Sequence, residues 1–188
     1  MSHREDLGLF LGQALRRPQS VSALVPSSER LARAMAAQVP AGKGPVVELG
    51  PGTGKITRAL IAAGIAAADL HLFEINAPFV ELLHLRHPDA TIHHRGAQQM
   101  TQVGLSDVRA VVSGLPLLSF PRGLQDEILT AAFELLPPGA PFIQFTYGPS
   151  NPVPQPLMTR LGLVAQRRCR IWGNLPPARV YTLTRSIS

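Results

Sequence analysis

Residues 46 to 54 read Val-Val-Glu-Leu-Gly-Pro-Gly-Thr-Gly: an apolar run carrying one acid, Glu48, and then glycines at 50, 52 and 54. A short apolar run that opens into glycines and then into a helical pattern predicts a buried strand, a tight turn and a helix. A turn without side chains lets a ligand lie against bare backbone. A second acid, Glu74, closes the next apolar run, Leu-His-Leu-Phe-Glu. At the end of a neighbouring strand such an acid can accept both hydroxyls of a ribose. Two familiar phosphate cradles fail on spacing. The dinucleotide fingerprint G-x-G-x-x-G needs its third glycine at 55, where Lys55 stands. A P-loop needs Ser or Thr after Gly-Lys and a glycine five residues before Gly54, and the chain has Ile56 and Leu49 there.

What remains is E-x-G-x-G-x-G, which resembles motif I of the class I S-adenosylmethionine (AdoMet) methyltransferases. The resemblance implies that Gly50, Gly52, Gly54 and Glu74 hold AdoMet, with S-adenosylhomocysteine as product and no metal. Glu48 lies inside an apolar strand, where a carboxylate needs partners. It is expected to organise the glycine turn or to orient the amino-acid end of AdoMet. Further on comes Arg95-Gly96-Ala97-Gln98. Many related methyltransferases place an acid beside this glycine to receive the adenine amino group. With Ala97 in that place, adenine is expected on the Ala97 backbone N–H and Gln98, with Ile75 against the ring.

These residues need a scaffold, and the hydrophobic pattern supplies one. Apolar runs and helical stretches alternate, as they do in a parallel sheet covered by helices. Strands are expected at 46–50, 70–74, 91–94, 110–115 and 142–147, with helices at 56–63, 78–86 and 124–135. Residues 149–156 carry four prolines and read as a loop, and 163–172 with 179–184 read as a closing antiparallel hairpin. The fold class is α/β: a Rossmann-like, seven-stranded AdoMet methyltransferase sheet with an N-terminal helical extension. Residues 1–40 are the extension and 41–188 the methyltransferase domain. Within the extension, Leu7, Phe10, Leu11, Ala14 and Leu15 fall on one helical face, with Arg4, Arg16 and Arg17 at its ends. Such a helix either lies in the headgroup region of a membrane or packs on the core. Ser27 or Ser28 caps a second helix carrying Leu31, Ala34, Met35 and Val39.

Composition sets limits. With 188 residues the chain builds one α/β domain, and its formal net charge of +6 comes almost wholly from arginine. A basic surface suits nucleic acid or an anionic membrane face. Cys169 is the single cysteine, which excludes an intrachain disulfide and a cysteine metal site. No apolar stretch is long enough to span a bilayer. The expectation is a cytoplasmic protein whose membrane contact, if any, is peripheral.

Three later blocks narrow the family. Ser113-Gly114-Leu115-Pro116 ends the fourth strand, where amino-methylating enzymes carry Asn/Asp-Pro-Pro-aromatic or Asn-Leu-Pro-Tyr. Together with Gln144-Phe-Thr-Tyr-Gly-Pro149 and Trp172-Gly-Asn-Leu-Pro-Pro-Ala178, it is similar to the bacterial phospholipid N-methyltransferases, relatives of the rRNA adenine dimethyltransferases. The resemblance implies methyl transfer from AdoMet to phosphatidylethanolamine, stepwise through mono- and dimethyl intermediates to phosphatidylcholine. It also implies an anionic phospholipid surface as partner, at the inner face of the cytoplasmic membrane, with no nucleic acid and no obligate protein partner. For the reaction, Tyr147 is expected to present its ring or hydroxyl to the amine, with the Ser113 and Gly114 carbonyls across from it. Tyr147 as a strand-end core aromatic is the alternative. Leu115, Trp172 and Asn174 are expected at the pocket, and Arg179 or Arg185 at the lipid phosphate. A solvated edge hairpin would use the same arginines to discourage aggregation. Alternation along the sixth strand puts Arg168 and Arg170 on one face and Arg167 on the other.

Three other functions share these features. An RNA adenine dimethyltransferase fits the charge and fold, but Ser113 and Leu117 replace the asparagine and the stacking aromatic that a flipped base requires. A non-catalytic AdoMet-binding protein at the membrane surface fits the missing acid at Ala97. A small-molecule acceptor fits the fold, which hosts many.

Overall fold

The computed structural model describes residues 29–172 and 177–185. The amphipathic segment at 4–17, the Ser27/Ser28 cap and Asn174 lie outside the described residues.

Seven strands form one sheet in the order β3-β2-β1-β4-β5-β7-β6. They are β1 (Val46–Leu49), β2 (Leu70–Glu74), β3 (Thr91–His94), β4 (Ala110–Ser113), β5 (Phe142–Thr146), β6 (Leu163–Ile171) and β7 (Ala178–Arg185). The first five are mutually parallel, and β7 runs antiparallel between β5 and β6. β1 and β4 are buried along their whole length. A parallel strand covered by helices on both faces has no solvent side, which is why these strands read as continuous apolar runs.

Among the described residues, five helices cover the sheet: α1 (Glu29–Ala36), α2 (Lys55–Ala62), α3 (Ala77–Arg86), α4 (Arg122–Leu135) and α5 (Gln155–Leu161). One layer of core joins Leu31 and Met35 of α1, Ile56 and Leu60 of α2 and Leu83 of α3 to Val46, Leu72, Val112 and Ile143. The opposite layer joins Leu124, Ile128, Leu129 and Ala132 of α4 and Leu157 and Met158 of α5 to Val47, Leu49, Phe73, Val111 and Phe142.

The sequence-based boundaries of β2 and β3 coincide with the structure, and the other strands agree to within two residues. Two expectations are corrected. The proline-rich segment is a loop only to Pro154. Helix α5 begins at Gln155 and takes Pro156 into its first turn, where proline's missing N–H is no loss. In the hairpin, the register slips between Arg167 and Cys169, because Arg167 faces Tyr181 while Cys169 faces Val180. Arg168 is the extra residue of a bulge, and its Nε donates to Thr182 Oγ1 at 2.9 Å. Simple alternation assumes an unbroken ladder. The bulge resets it, so that Arg167 and Arg170 share one face and Arg168 takes the other.

Met35 is wholly buried where α1 meets the sheet. Met35→Ala is expected to lower unfolding stability by about 2–5 kcal/mol, read as a lower urea midpoint with unchanged denaturant slope.

Candidate active site

Strand order reverses between β1 and β4, and in open α/β sheets a crevice forms outside the carboxyl ends at that point. The glycine turn leaves β1 there and Ser113-Gly114 leaves β4. Gly114 N–H donates to the Leu49 carbonyl at 2.8 Å, drawing the two exits together. A Cβ on Gly114 would lie 2.9 Å from the Gly50 carbonyl oxygen, and one on Gly50 would lie 2.5 Å from Leu115 Cδ2. Gly50 also holds φ +67°, a left-handed conformation that other residues adopt at a cost. Side chains are therefore excluded from both exits.

The turn is tied down on three sides. Glu74 Oε2 accepts from Gly52 N–H at 3.0 Å, and its Oε1 accepts from Ile75 and Asn76 N–H, each at 2.9 Å. A carboxylate offers about four acceptor positions, so one remains on Oε2. Arg86 of α3 donates to the Thr53 carbonyl at 3.0 Å. His87 packs its Nε2 against Gly54, and burial, with Arg58 and Arg86 nearby, pushes its pKa down and keeps it neutral.

Beneath the turn lies Glu48, fully buried in the α1–α2 layer. Its Oε2 accepts from the Thr57 hydroxyl at 2.7 Å, which fastens the first turn of α2 to β1. Its Oε1 has no partner. Desolvation drives its pKa up to about 8, against the lowering effect of the Thr57 hydrogen bonds, and the charge of Glu74 adds to the rise. Burial thus keeps Glu48 a neutral acid at pH 7, tied through Thr57 to the helix that follows the glycine turn.

Beyond β3, Ala97 is buried at the start of a 3₁₀ segment, Ala97–Val103. Gln98 folds back over Gly96, while Gln99 accepts from Gly96 N–H at 3.2 Å. Ile75, half-buried, follows Glu74 directly, and its carbonyl lies 3.1 Å from His94 Nε2.

On the other side of the crevice, Ser113 is fully buried and half-buried Gly114 and Leu115 follow it. Tyr147 comes just after β5, its ring edge-on to Phe145 at 5.5 Å in the α1–α2 layer, away from the Ser113 side chain. Arg179 pairs with Thr146 at the carboxyl end of β5 and donates to the Gly148 carbonyl at 2.6 Å. Arg170 pairs with Arg179 and lays its guanidinium 3.8 Å over the Trp172 ring, which is 70% exposed. Arg185 is not brought to this group. It lies six residues along β7 from Arg179, roughly 20 Å away, with its guanidinium 5.7 Å from the Phe133 ring centroid.

Sequence reasoning missed two residues. Thr57 holds Glu48, and Gln144, 1% exposed, holds the β4 exit by donating Nε2 to the Leu115 carbonyl at 3.0 Å. Gln144 Oε1 is buried without a partner, a condition that costs about 1–3 kcal/mol. The signal was present: Gln144 interrupts the run Phe-Ile-Gln-Phe just as Glu48 interrupts Val-Val-Glu-Leu. Among the described residues, no group of three or more side chains could hold a metal ion.

The architecture now has counterparts. A 1,6-didemethyltoxoflavin N1-methyltransferase from Burkholderia thailandensis superposes with TM-score 0.71 at 13% identity, covering 100% of this chain and 91% of that one. A putative rRNA methylase from Clostridium thermocellum superposes with TM-score 0.58 at 21% identity, covering 86% and 97%. These likenesses establish the class I methyltransferase fold. No protein-family model matches the chain. An ornithine lipid N-methyltransferase from Singulisphaera acidiphila is 31% identical over 153 residues, covering 77% of this chain and 80% of that protein. The chain belongs to the family of that lipid N-methyltransferase. It is an AdoMet-dependent methyltransferase acting on a lipid or small molecule. The crevice fits the cofactor: a Cβ-free turn with open space at Gly52 is bonded to an acid, Glu74, that keeps one acceptor position.

The raised pKa of Glu48 makes a pH prediction. The folded state holds this proton up to about pH 8, whereas the unfolded chain releases it near 4.5. The stability that rests on the neutral acid is complete below pH 4.5 and is lost as pH rises through 8. Between pH 5.5 and 8 the wild-type protein is expected to lose roughly 2–3 kcal/mol relative to Glu48→Gln. Urea unfolding of both proteins at the two pH values reads this difference, and parallel profiles would refute it.

Proposed function

We propose that this enzyme methylates the amine of a membrane-lipid headgroup, carrying phosphatidylethanolamine through its mono- and dimethyl derivatives to phosphatidylcholine. The observation that carries the reading is the 31% identity, over most of both chains, to an N-methyltransferase named for a lipid. That name favours one alternative acceptor, the amine of an ornithine lipid.

Gly50, Gly52, Gly54 and Glu74 would hold AdoMet, with Ile75, Ala97 and Gln98 on the adenine side and Ser113 next to the reacting end. When bound, the cofactor supplies an electrophilic methyl carbon whose C–S electron pair stays on sulfur as the amine lone pair forms the new N–C bond. The chain's own part is to place an unprotonated amine and to stabilise the charge it acquires. Tyr147 offers an electron-rich ring and Ser113 and Gly114 offer backbone carbonyls. The amine proton is lost to water before attack. Arg179 stands at the carboxyl end of β5 to receive the lipid phosphate, and Leu115 and Trp172 line the approach. Arg185, at the far end of β7, is left out of this assignment.

Several features support a peripheral contact with an anionic membrane: the net charge of +6, the exposed Trp172 under Arg170, and the amphipathic pattern of residues 4–17. No helix among the described residues is long and apolar enough to cross a bilayer.

Purified enzyme with methyl-labelled AdoMet and anionic vesicles is expected to label vesicles containing phosphatidylethanolamine, in mono-, di- and trimethyl products. Label only with ornithine lipid would move the acceptor to that headgroup, and no lipid label despite AdoMet binding would overturn the lipid reading. Tyr147→Phe is expected to keep most activity, whereas Tyr147→Ala loses about tenfold or more at unchanged AdoMet affinity. A fully active Tyr147→Ala would remove Tyr147 from the mechanism. Deleting residues 1–17 is expected to abolish co-sedimentation with anionic vesicles while AdoMet binding persists, and unchanged co-sedimentation would exclude that segment as the membrane contact.

A further inference from the structure

Enzymes that methylate amines commonly place a side-chain amide or acid at the exit of β4, and here that position is Ser113, whose hydroxyl is too short to take the same part. The sheet register offers a substitute. Ser113 pairs directly with Gln144 of β5, so the two side chains stand next to each other on one face of the sheet. Gln144 is the only amide side chain in β5, and it is buried to 99%.

The orientation of that amide follows from its partners. Nε2 lies 3.0 Å from the Leu115 carbonyl and 2.9 Å from the Phe145 carbonyl. Two carbonyl oxygens attract an NH₂ group and repel an oxygen, so Nε2 must face them and both its hydrogens are used. Oε1 is then the free end, and it is buried without a donor. An unpaired buried carbonyl disfavours folding; Gln125 Oε1 shares that condition in α4, but Gln144 stands in register with the exit of β4, where a donor on the substrate can satisfy it. Ser113 Oγ, although next to Gln144 in register, makes no hydrogen bond to its Oε1, and accepts from Leu115 N–H at 3.4 Å.

We propose that Gln144 supplies from β5 the amide missing at the β4 exit, its Oε1 accepting an N–H of the acceptor amine while its Nε2 holds the Leu115 carbonyl. The inference rests on the amine-methylating function proposed above. An amine delivered past half-buried Gly114 and Leu115 meets this oxygen. The contact steers the nitrogen lone pair away from Oε1, and it strengthens as positive charge builds on nitrogen during attack. A purely structural Gln144 would act alike on every acceptor. A Gln144 that binds the amine would not, because a neutral primary amine carries two N–H groups, a monomethyl amine one and a dimethyl amine none.

The test compares wild type with Gln144→Met, which keeps the volume and loses the amide. Rates are measured on anionic vesicles carrying the unmethylated, monomethyl or dimethyl form of whichever lipid amine the wild type labels. Gln144→Met is expected to lower kcat about 10- to 100-fold on the unmethylated and monomethyl lipids, with AdoMet affinity within about threefold. The rate on the dimethyl lipid is expected to stay within the same threefold. An equal loss on all three lipids would overturn the assignment and leave Gln144 a structural residue. A wild type that labels no lipid amine would overturn the proposed function and this inference with it. Should Gln144→Met not fold, Gln144→Glu keeps an acceptor oxygen and loses both N–H groups. It is expected to preserve the wild-type ratio of unmethylated to dimethyl rates, and a collapse of that ratio would overturn the proposal.

Discussion

The bond from Gly114 N–H to the Leu49 carbonyl fixes how closely the exits of β1 and β4 approach, and the rest of the site is arranged around that distance. It brings the Gly50 carbonyl to where a side chain at 114 would be, and Gly50 itself meets the Leu115 side chain and holds a left-handed φ, so both positions favour glycine. The crevice at the strand-order reversal is therefore walled by main chain. The glycine N–H groups there are spent on holding the walls in place, Gly50 on Phe73, Gly52 on Glu74, Gly54 on Pro51 and Gly114 on Leu49.

A site walled by backbone still needs polar side chains beneath it, and the chain puts them in two matched places. Glu48 on β1 and Gln144 on β5 each interrupt an apolar strand, each hold a neighbouring turn, and each keep one buried oxygen without a partner. They lie in opposite layers, Glu48 under α2 and Gln144 on the side of α4 and α5. Glu48 bears its burial by staying protonated. Gln144 has no proton to take up, so its oxygen stays unsatisfied in the absence of ligand. That difference underlies the proposal that Gln144, rather than Glu48, meets the acceptor amine.

Much of this was legible in the residues because each signal was local. The glycine spacing, the acid at the end of the second strand and the continuous apolar runs each follow from short-range patterns, and the parallel sheet follows from their alternation. What escaped were features created by pairing. The bulge at Arg168 depends on how β6 meets β7, and alternation read along one strand cannot contain it. The distance of Arg185 from the crevice follows from β7 running antiparallel, which carries its last residue to the opposite edge. Helix α5 was hidden by the very prolines that start it. Gln144 was visible as a polar residue in an apolar run, but its neighbour Ser113 comes only from the register of β4 with β5.

The segment after β4 bears on the acceptor. A base turned out of a nucleic acid needs an aromatic face to stack upon. Here Leu117 occupies that position and is 1% exposed, packed into the core with Phe120 and Leu124. It serves the fold and offers no surface to a planar ring. Among the described residues, the large apolar side chains exposed at this end are Leu118 and Trp172, the latter under a guanidinium. Leu118 lies against Gly148, whose carbonyl takes the Arg179 hydrogen bond, so these apolar and cationic groups form one continuous rim. A rim of this kind suits a molecule with an anionic group and an aliphatic body better than a stacked polymer. It supports the proposed lipid amine as acceptor, whose phosphate or carboxylate would meet the arginines and whose small, flexible nitrogen would reach the glycine-lined exit of β4.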